Sequence, residues 1–133
     1  MTTFDLDSLL RKVSRVKTRT EALRDGDLVD CTRAAAWLGF RVAAAMTTAA
    51  WEECIGVTDA RATAQERADA GTRLRAVWQA ASAAVATYKA RNVVLPSIRF
   101  QHRAVSRRQV TLLLRAGVDA GTPYVTLSLE GEA

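Results

Sequence analysis

Residues 97–129, SIRFQHRAVSRRQVTLLLRAGVDAGTPYVTLSL, decide how this chain is read. Apolar and polar side chains alternate three times. Ile98, Phe100 and His102 alternate with Arg99, Gln101 and Arg103. Val110, Leu112 and Leu114 alternate with Thr111, Leu113 and Arg115. Val125, Leu127 and Leu129 alternate with Tyr124, Thr126 and Ser128. A period of two is the signature of strands with one buried face. Turns are expected at "SRR" (106–108) and within "AGVDAGTP" (116–123), built on Gly117, Asp119 and Gly121. Three antiparallel strands with one apolar face follow.

Before Pro96 the pattern is helical. Leu6, Leu9, Leu10, Val13 and Val16 form one stripe, with Arg11, Lys12, Arg15 and Arg19 on the other side of that helix. Thr18 with Glu21, and Thr63 with Glu66, have capping-box spacing. Gly26 and Gly39 suit the left-handed residue that closes a helix, and Phe40 is placed to fold back in a Schellman motif. Asp30 or Thr32 can cap the short helix between them, whose Trp37 is expected in the core. Residues 41–42 read as extended, with a helix starting at Thr47 or Thr48 and carrying Trp51, Cys54 and Ile55. The longest element follows Thr63, where Leu74, Val77, Trp78, Ala81, Val85 and Tyr88 recur at helical period. Gly71 costs that helix about 1 kcal/mol, so a kink or a restart at Thr72 is expected there.

The expected fold is α+β: several helices packed on one face of a C-terminal three-stranded antiparallel sheet, with room for a fourth short strand at 40–44 or 27–30. At 133 residues the chain is read as one domain. Residues 1–17 form a helical extension, 18–95 are mainly helical, and 97–130 form the β-meander.

The net charge of +5 is unevenly spread. Residues 1–24 hold six Lys/Arg against three Asp/Glu, residues 25–96 eight against eight, and residues 97–133 five against three. A modest basic surplus at both ends permits an acidic partner without requiring one. The N-terminus has no apolar stretch of secretory type, and no run approaches the ~20 apolar residues of a membrane span. A cytoplasmic protein without membrane partners is expected, with Cys31 and Cys54 reduced and packed.

Catalytic patterns are scarce. With a single histidine and no CxxC, a zinc site is not expected, and no phosphate-cradling glycine loop or GxSxG elbow occurs. Ser106, His102 and Asp119 are the one nucleophile set that can be assembled on paper, and nothing beside them supplies an oxyanion hole. The structural reading of His102 is a sheet-edge residue with one ring nitrogen hydrogen-bonded. Glu52 and Glu53 are adjacent and diverge on a helix, so they form no acid/base pair. Neither enzyme chemistry nor a cofactor is expected.

The pieces EALRDGDLVD (21–30), GFRV (39–42), TxAxWEEC (47–54), RLRAVW (73–78) and QVTLLLRAGVDAGTPYVTLSLEGE (109–132) together resemble a family of small proteins encoded on bacterial plasmids, integrative elements and phages, labelled only as a domain of unknown function. The resemblance spans about residues 18–133. Where that family tends to have proline after GFRV, this chain has Ala43. The resemblance implies a mobile-element protein. It carries over no catalytic residue.

These observations lead to one expectation and one alternative. The first is a non-enzymatic inhibitor of a host defence system, of anti-CRISPR type, that occludes a protein or ribonucleoprotein surface. The alternative is a nucleic-acid-binding accessory protein. The candidate contact residues are Arg99, Gln101, Arg103, Arg115 and Tyr124 on the outer sheet face, Arg107 and Arg108 in the turn, and Arg11, Lys12 and Arg15 on the N-terminal helix. A mixed face of cations, hydroxyls and one tyrosine suits a protein surface about as well as a single strand of nucleic acid.

Overall fold

A computed structural model describes residues 18–56, 61–90 and 97–132. The expected N-terminal helix, with Arg11, Lys12 and Arg15, lies outside the described residues. The chain runs α1 (Arg19–Asp25), β1 (Leu28–Asp30), α2 (Thr32–Trp37), β2 (Ala43–Thr47), α3 (Thr48–Cys54), α4 (Ala64–Ala90), β3 (Ser97–Arg103), β4 (Gln109–Asp119) and β5 (Thr122–Leu129).

The class is α+β, and the sheet differs from the one expected. Among the described residues it has five strands in the order β1-β2-β5-β4-β3, and it is mixed. β3, β4 and β5 form the anticipated antiparallel meander. β2 then pairs parallel to β5, with Ala44 opposite Val125 and Met46 opposite Leu127, and β1 pairs antiparallel to β2. A three-stranded antiparallel sheet is thereby overturned. The reason is burial on both faces. Ala44, Ala45 and Met46 are all at most 1 % exposed, so β2 shows no alternation of apolar and polar residues. A parallel neighbour also needs a long crossover, which α3, α4 and the β3–β4 hairpin supply.

The helix ends follow the local chemistry. Thr18 Oγ1 accepts the Glu21 amide at 3.1 Å, and Thr63 Oγ1 accepts that of Glu66 at 3.1 Å. Thr47 Oγ1 accepts the Ala50 amide at 3.2 Å, starting α3. At the end of α2, the Gly39 amide donates to Ala36 and the Phe40 amide to Ala35, the paired bonds of a Schellman motif, with Gly39 at φ 91°. Asp30, rather than Thr32, accepts at the start of α2, taking the Thr32 amide at 3.0 Å. α4 passes Gly71 without a break, and Thr72 donates back to the Ala68 carbonyl instead of opening a new helix.

The core lies between the helices and the inner sheet face. Trp78, Val77 and Ala81 of α4 meet Met46, Leu112, Leu114 and Leu127 of the sheet, with Ile55, Cys54 and Ala35 filling in from the shorter segments. Phe40, folded back by its turn, packs edge-on against Trp78 with ring centroids 5.4 Å apart. Each large apolar side chain buried this way stabilises the fold by about 1.5–3 kcal/mol. Among the described residues the Trp78 indole N–H makes no hydrogen bond of good geometry. Its polar neighbour is the Cys31 thiol, whose pKa that contact tempers while burial pushes it up to about 11.

Trp37 is not in the core; it is 82 % exposed. On a helix of six residues only one face can be buried, and here it is the face of Ala35. Two residues on, Trp37 has rotated by about 200° to the opposite side.

The β4–β5 connection is tighter than the glycine-rich sequence suggested. Both strands continue to a two-residue turn, Ala120–Gly121, with φ of 49° and 81°. Two positive φ values identify a type I′ hairpin. Pro123 lies within β5, beyond the stretch that pairs with β2. A strand segment with a free side tolerates its missing N–H.

Candidate binding surface

On the outer sheet face β3 contributes Arg99, Gln101 and Arg103, all exposed. β3 is an edge strand, so this row lines the border of the sheet. Arg115 sits on β4 opposite Ser97 and extends the row past Arg99. From Arg103 to the level of Arg115 is six residue steps along β3, about 20 Å at strand rise. Arg99 pairs with Glu130 at 3.4 Å, both side chains in solvent. Arg103 and Arg115 make no ion pair among the described residues. The structure therefore brings four candidate residues onto one face, as alternation implied.

Tyr124 lies on the same face and is engaged within the protein. The Arg19 guanidinium stands over its ring, 4.0 Å from the centroid. The same guanidinium donates to Thr126 Oγ1 at 2.6 Å and to the Val125 carbonyl at 3.0 Å. Arg19, read from the sequence on the side of the N-terminal helix away from its apolar stripe, thus ties α1 to the outer side of β5. Tyr124 is the one aromatic side chain that alternation places there, and a stacked base would have to displace a guanidinium to reach it. Leu113, also on the outer side by alternation, is only 7 % exposed, so that part of the face is covered rather than open to solvent.

Arg107 and Arg108 sit in the β3–β4 turn. Arg107 takes a positive φ of 69° and donates its amide to Ala104. Arg108 reaches Glu53 of α3 at 3.7 Å, and the Val105 amide donates to the Glu53 carbonyl at 2.7 Å. This turn is docked onto α3, and its arginines lie at one end of the row rather than within it.

The paper triad is taken apart. His102 is opposite Val110, near the turn that carries Ser106, whereas Asp119 ends β4 at the far hairpin. Nine residue steps along β4 separate Val110 from Asp119, about 30 Å. His102 is half-buried with its imidazole pushed toward the neutral form by desolvation, and its ring makes no hydrogen bond among the described residues. The expected ring hydrogen bond is therefore not found. Both thiols are buried, and burial pushes Cys31 and Cys54 each up to about 11. Among the described residues no group of His, Cys, Asp and Glu has the placement to hold a metal ion.

A second surface feature was not anticipated. A cleft of about 390 Å³ opens between α2 and α4, bordered by Trp37, Ala34, Leu74 and Gly71 and flanked by Arg33 and Arg75. The available signal was the two-residue spacing of Ala35 and Trp37, which puts them on opposite sides of a short helix, so that only one of the two can be buried. No signal in the sequence connected Arg19 to Tyr124.

Among the described residues no helix is long and apolar enough to cross a membrane. Comparison with protein-family models, curated proteins and solved structures found no match.

Proposed function

We propose that this chain is a small non-enzymatic binding protein of a phage or other mobile element, which inhibits a host defence system of CRISPR type by covering an acidic protein or ribonucleoprotein surface. The observation that supports a binding role is the row Arg99, Gln101, Arg103 and Arg115. It is exposed and cationic, with three residues on the edge strand β3 and Arg115 on the neighbouring β4, so its side chains start from fixed positions. Rigid presentation lowers the ordering cost of association, and arginine is favoured at contacts that dominate binding. The host-defence target rests on the sequence resemblance to mobile-element proteins.

Direct readout of single-stranded nucleic acid is the weaker reading. Such sheets combine cations with stacking aromatics, and Tyr124 already carries the Arg19 guanidinium.

The test is affinity capture from a lysate with an active defence system, using the wild-type chain and an Arg103→Glu/Arg115→Glu variant. Wild type should retain a defence component and the variant should release it. Failure of the wild type to retain any defence component defeats the proposal. A gel-shift titration with single-stranded RNA and DNA in low salt separates the two readings: binding to nucleic acid alone that falls steeply with salt would replace protein occlusion with the accessory role.

A further inference from the structure

We propose that the cleft between α2 and α4 is a binding site for an amphipathic organic anion: a flat apolar ring system bearing a carboxylate or sulfonate. The site is separate from the arginine row on the sheet, and nothing in this proposal depends on the role given to that row.

Trp37 supplies the first observation. Of the three tryptophans, Trp78 is fully buried in the core, whereas Trp37 is 82 % exposed and borders the cleft. An indole kept in water is a large apolar surface that gains by being covered. The cleft beside it, about 390 Å³, is walled mainly by Ala34, Leu74 and the Gly71 backbone. That is within the range of small-ligand pockets.

Gly71 supplies the second. It sits inside the unbroken helix α4, where glycine is the least favourable residue after proline. Its backbone angles do not require glycine, and a Cβ built there meets no atom within 4 Å. Neither conformation nor packing accounts for glycine here. A side chain at this position would project into the cleft and reduce its depth.

Charge supplies the third. Arg33 and Arg75 flank the opening, one from each helix, and neither makes an ion pair among the described residues. Among the described residues Asp30 is the one acid at the rim. Its Oδ1 is committed to the start of α2, accepting the Thr32 amide at 3.0 Å and the Thr32 hydroxyl at 2.6 Å. Cys31 closes one side with its thiol donating to the Val29 carbonyl at 3.4 Å. Two guanidiniums with no ion pair among the described residues, set beside an apolar slot, select an anion with an apolar body. A neutral analogue would fill the slot and leave both cations unanswered, and a cationic analogue would meet repulsion.

The test titrates the full chain with 2-naphthoate, using its neutral isostere 2-naphthylmethanol as control, and follows the three indole N–H resonances by NMR. Saturable binding of naphthoate should shift the Trp37 resonance and leave Trp78 unmoved. The neutral isostere should bind about tenfold more weakly. Arg33→Gln/Arg75→Gln should reduce naphthoate affinity to the level of the isostere. Gly71→Leu should fill the slot and abolish binding while the melting temperature holds or rises. If Gly71→Leu fails to fold, Trp37→Ala, which alters an exposed residue, should abolish the bulk of the affinity instead. No saturable binding of naphthoate, equal affinity for the neutral isostere, or binding that survives both the arginine and the cleft variants overturns the proposal.

Discussion

Tyr124 lies opposite Gly117 in the β4–β5 ladder, and its ring and hydroxyl oxygen come within 2.6 Å of where a Gly117 Cβ would stand. Gly117 has ordinary strand angles, so the requirement for glycine there is spatial rather than conformational. The missing side chain is what lets the tyrosine lie down on the sheet, where Arg19 stands over it. Gly117→Ala should therefore lift the ring, break the Arg19 contacts and destabilise the fold by about 1–3 kcal/mol in urea unfolding. In an Arg19→Ala background the same change should cost less, because the contacts have already gone. Additive costs would mean that the three residues do not act together.

The two tryptophans with opposite exposure provide a second prediction. Trp78 is fully buried and Trp37 is 82 % exposed. Trp78→Ala should cost about 3–5 kcal/mol, enough to threaten folding. Trp78→Phe should be far milder, since it keeps most of the packing and removes an indole N–H that lacks a partner. Trp37→Ala should stay within about 0.5 kcal/mol of wild type. A large loss for Trp37→Ala in thermal melts would contradict its placement.

Ala120 occupies the left-handed region at φ 49° in the type I′ turn. A residue with a Cβ is strained there by about 1 kcal/mol, whereas asparagine followed by glycine is favoured in such turns. Ala120→Asn should raise stability by about 0.5–1 kcal/mol, read as a higher urea midpoint at unchanged slope. A lower midpoint would show that the turn is not of this type.

His102 is pushed below its ordinary value of 6.5 by burial, on a small hollow shared with Arg73 and Cys54. The folded protein then holds fewer protons at this site than the unfolded chain, so stability rises with pH through the interval between the two values. Its contribution is fully present above 6.5 and is lost as pH falls below that value. Unfolding midpoints measured from about pH 8 down to about pH 5 should decline with a slope that His102→Gln flattens. An unchanged slope in the variant would assign the decline to other groups.

The thiols of Cys31 and Cys54, both buried and pushed up to about 11, should react with iodoacetamide only as fast as the protein opens. Rates at neutral pH should be lower than those of the urea-unfolded chain by about a hundredfold or more, and should rise in step with added urea. Fast labelling of either cysteine in the native protein would contradict its burial.

The amino-acid order alone determined what depends on near neighbours. The alternating residues of 97–129 specify pleated strands. Thr18, Thr47 and Thr63 start helices because a hydroxyl reaches an amide three residues on, and Gly26 and Gly39 end them because a left-handed residue suits a hydrogen atom in place of Cβ. Alternation also placed Arg99, Gln101, Arg103 and Arg115 together on one face. Only the tertiary structure decided the rest. β2 lines up beside β5 across about eighty residues of intervening chain, and its alanines carry no polar face by which to announce a strand. Arg19 finds Tyr124 across more than a hundred residues, and α2 and α4 leave the cleft at Trp37 only by where they pack. Contacts between distant segments are selected by the shape and burial of the whole core, and no local period or cap encodes them.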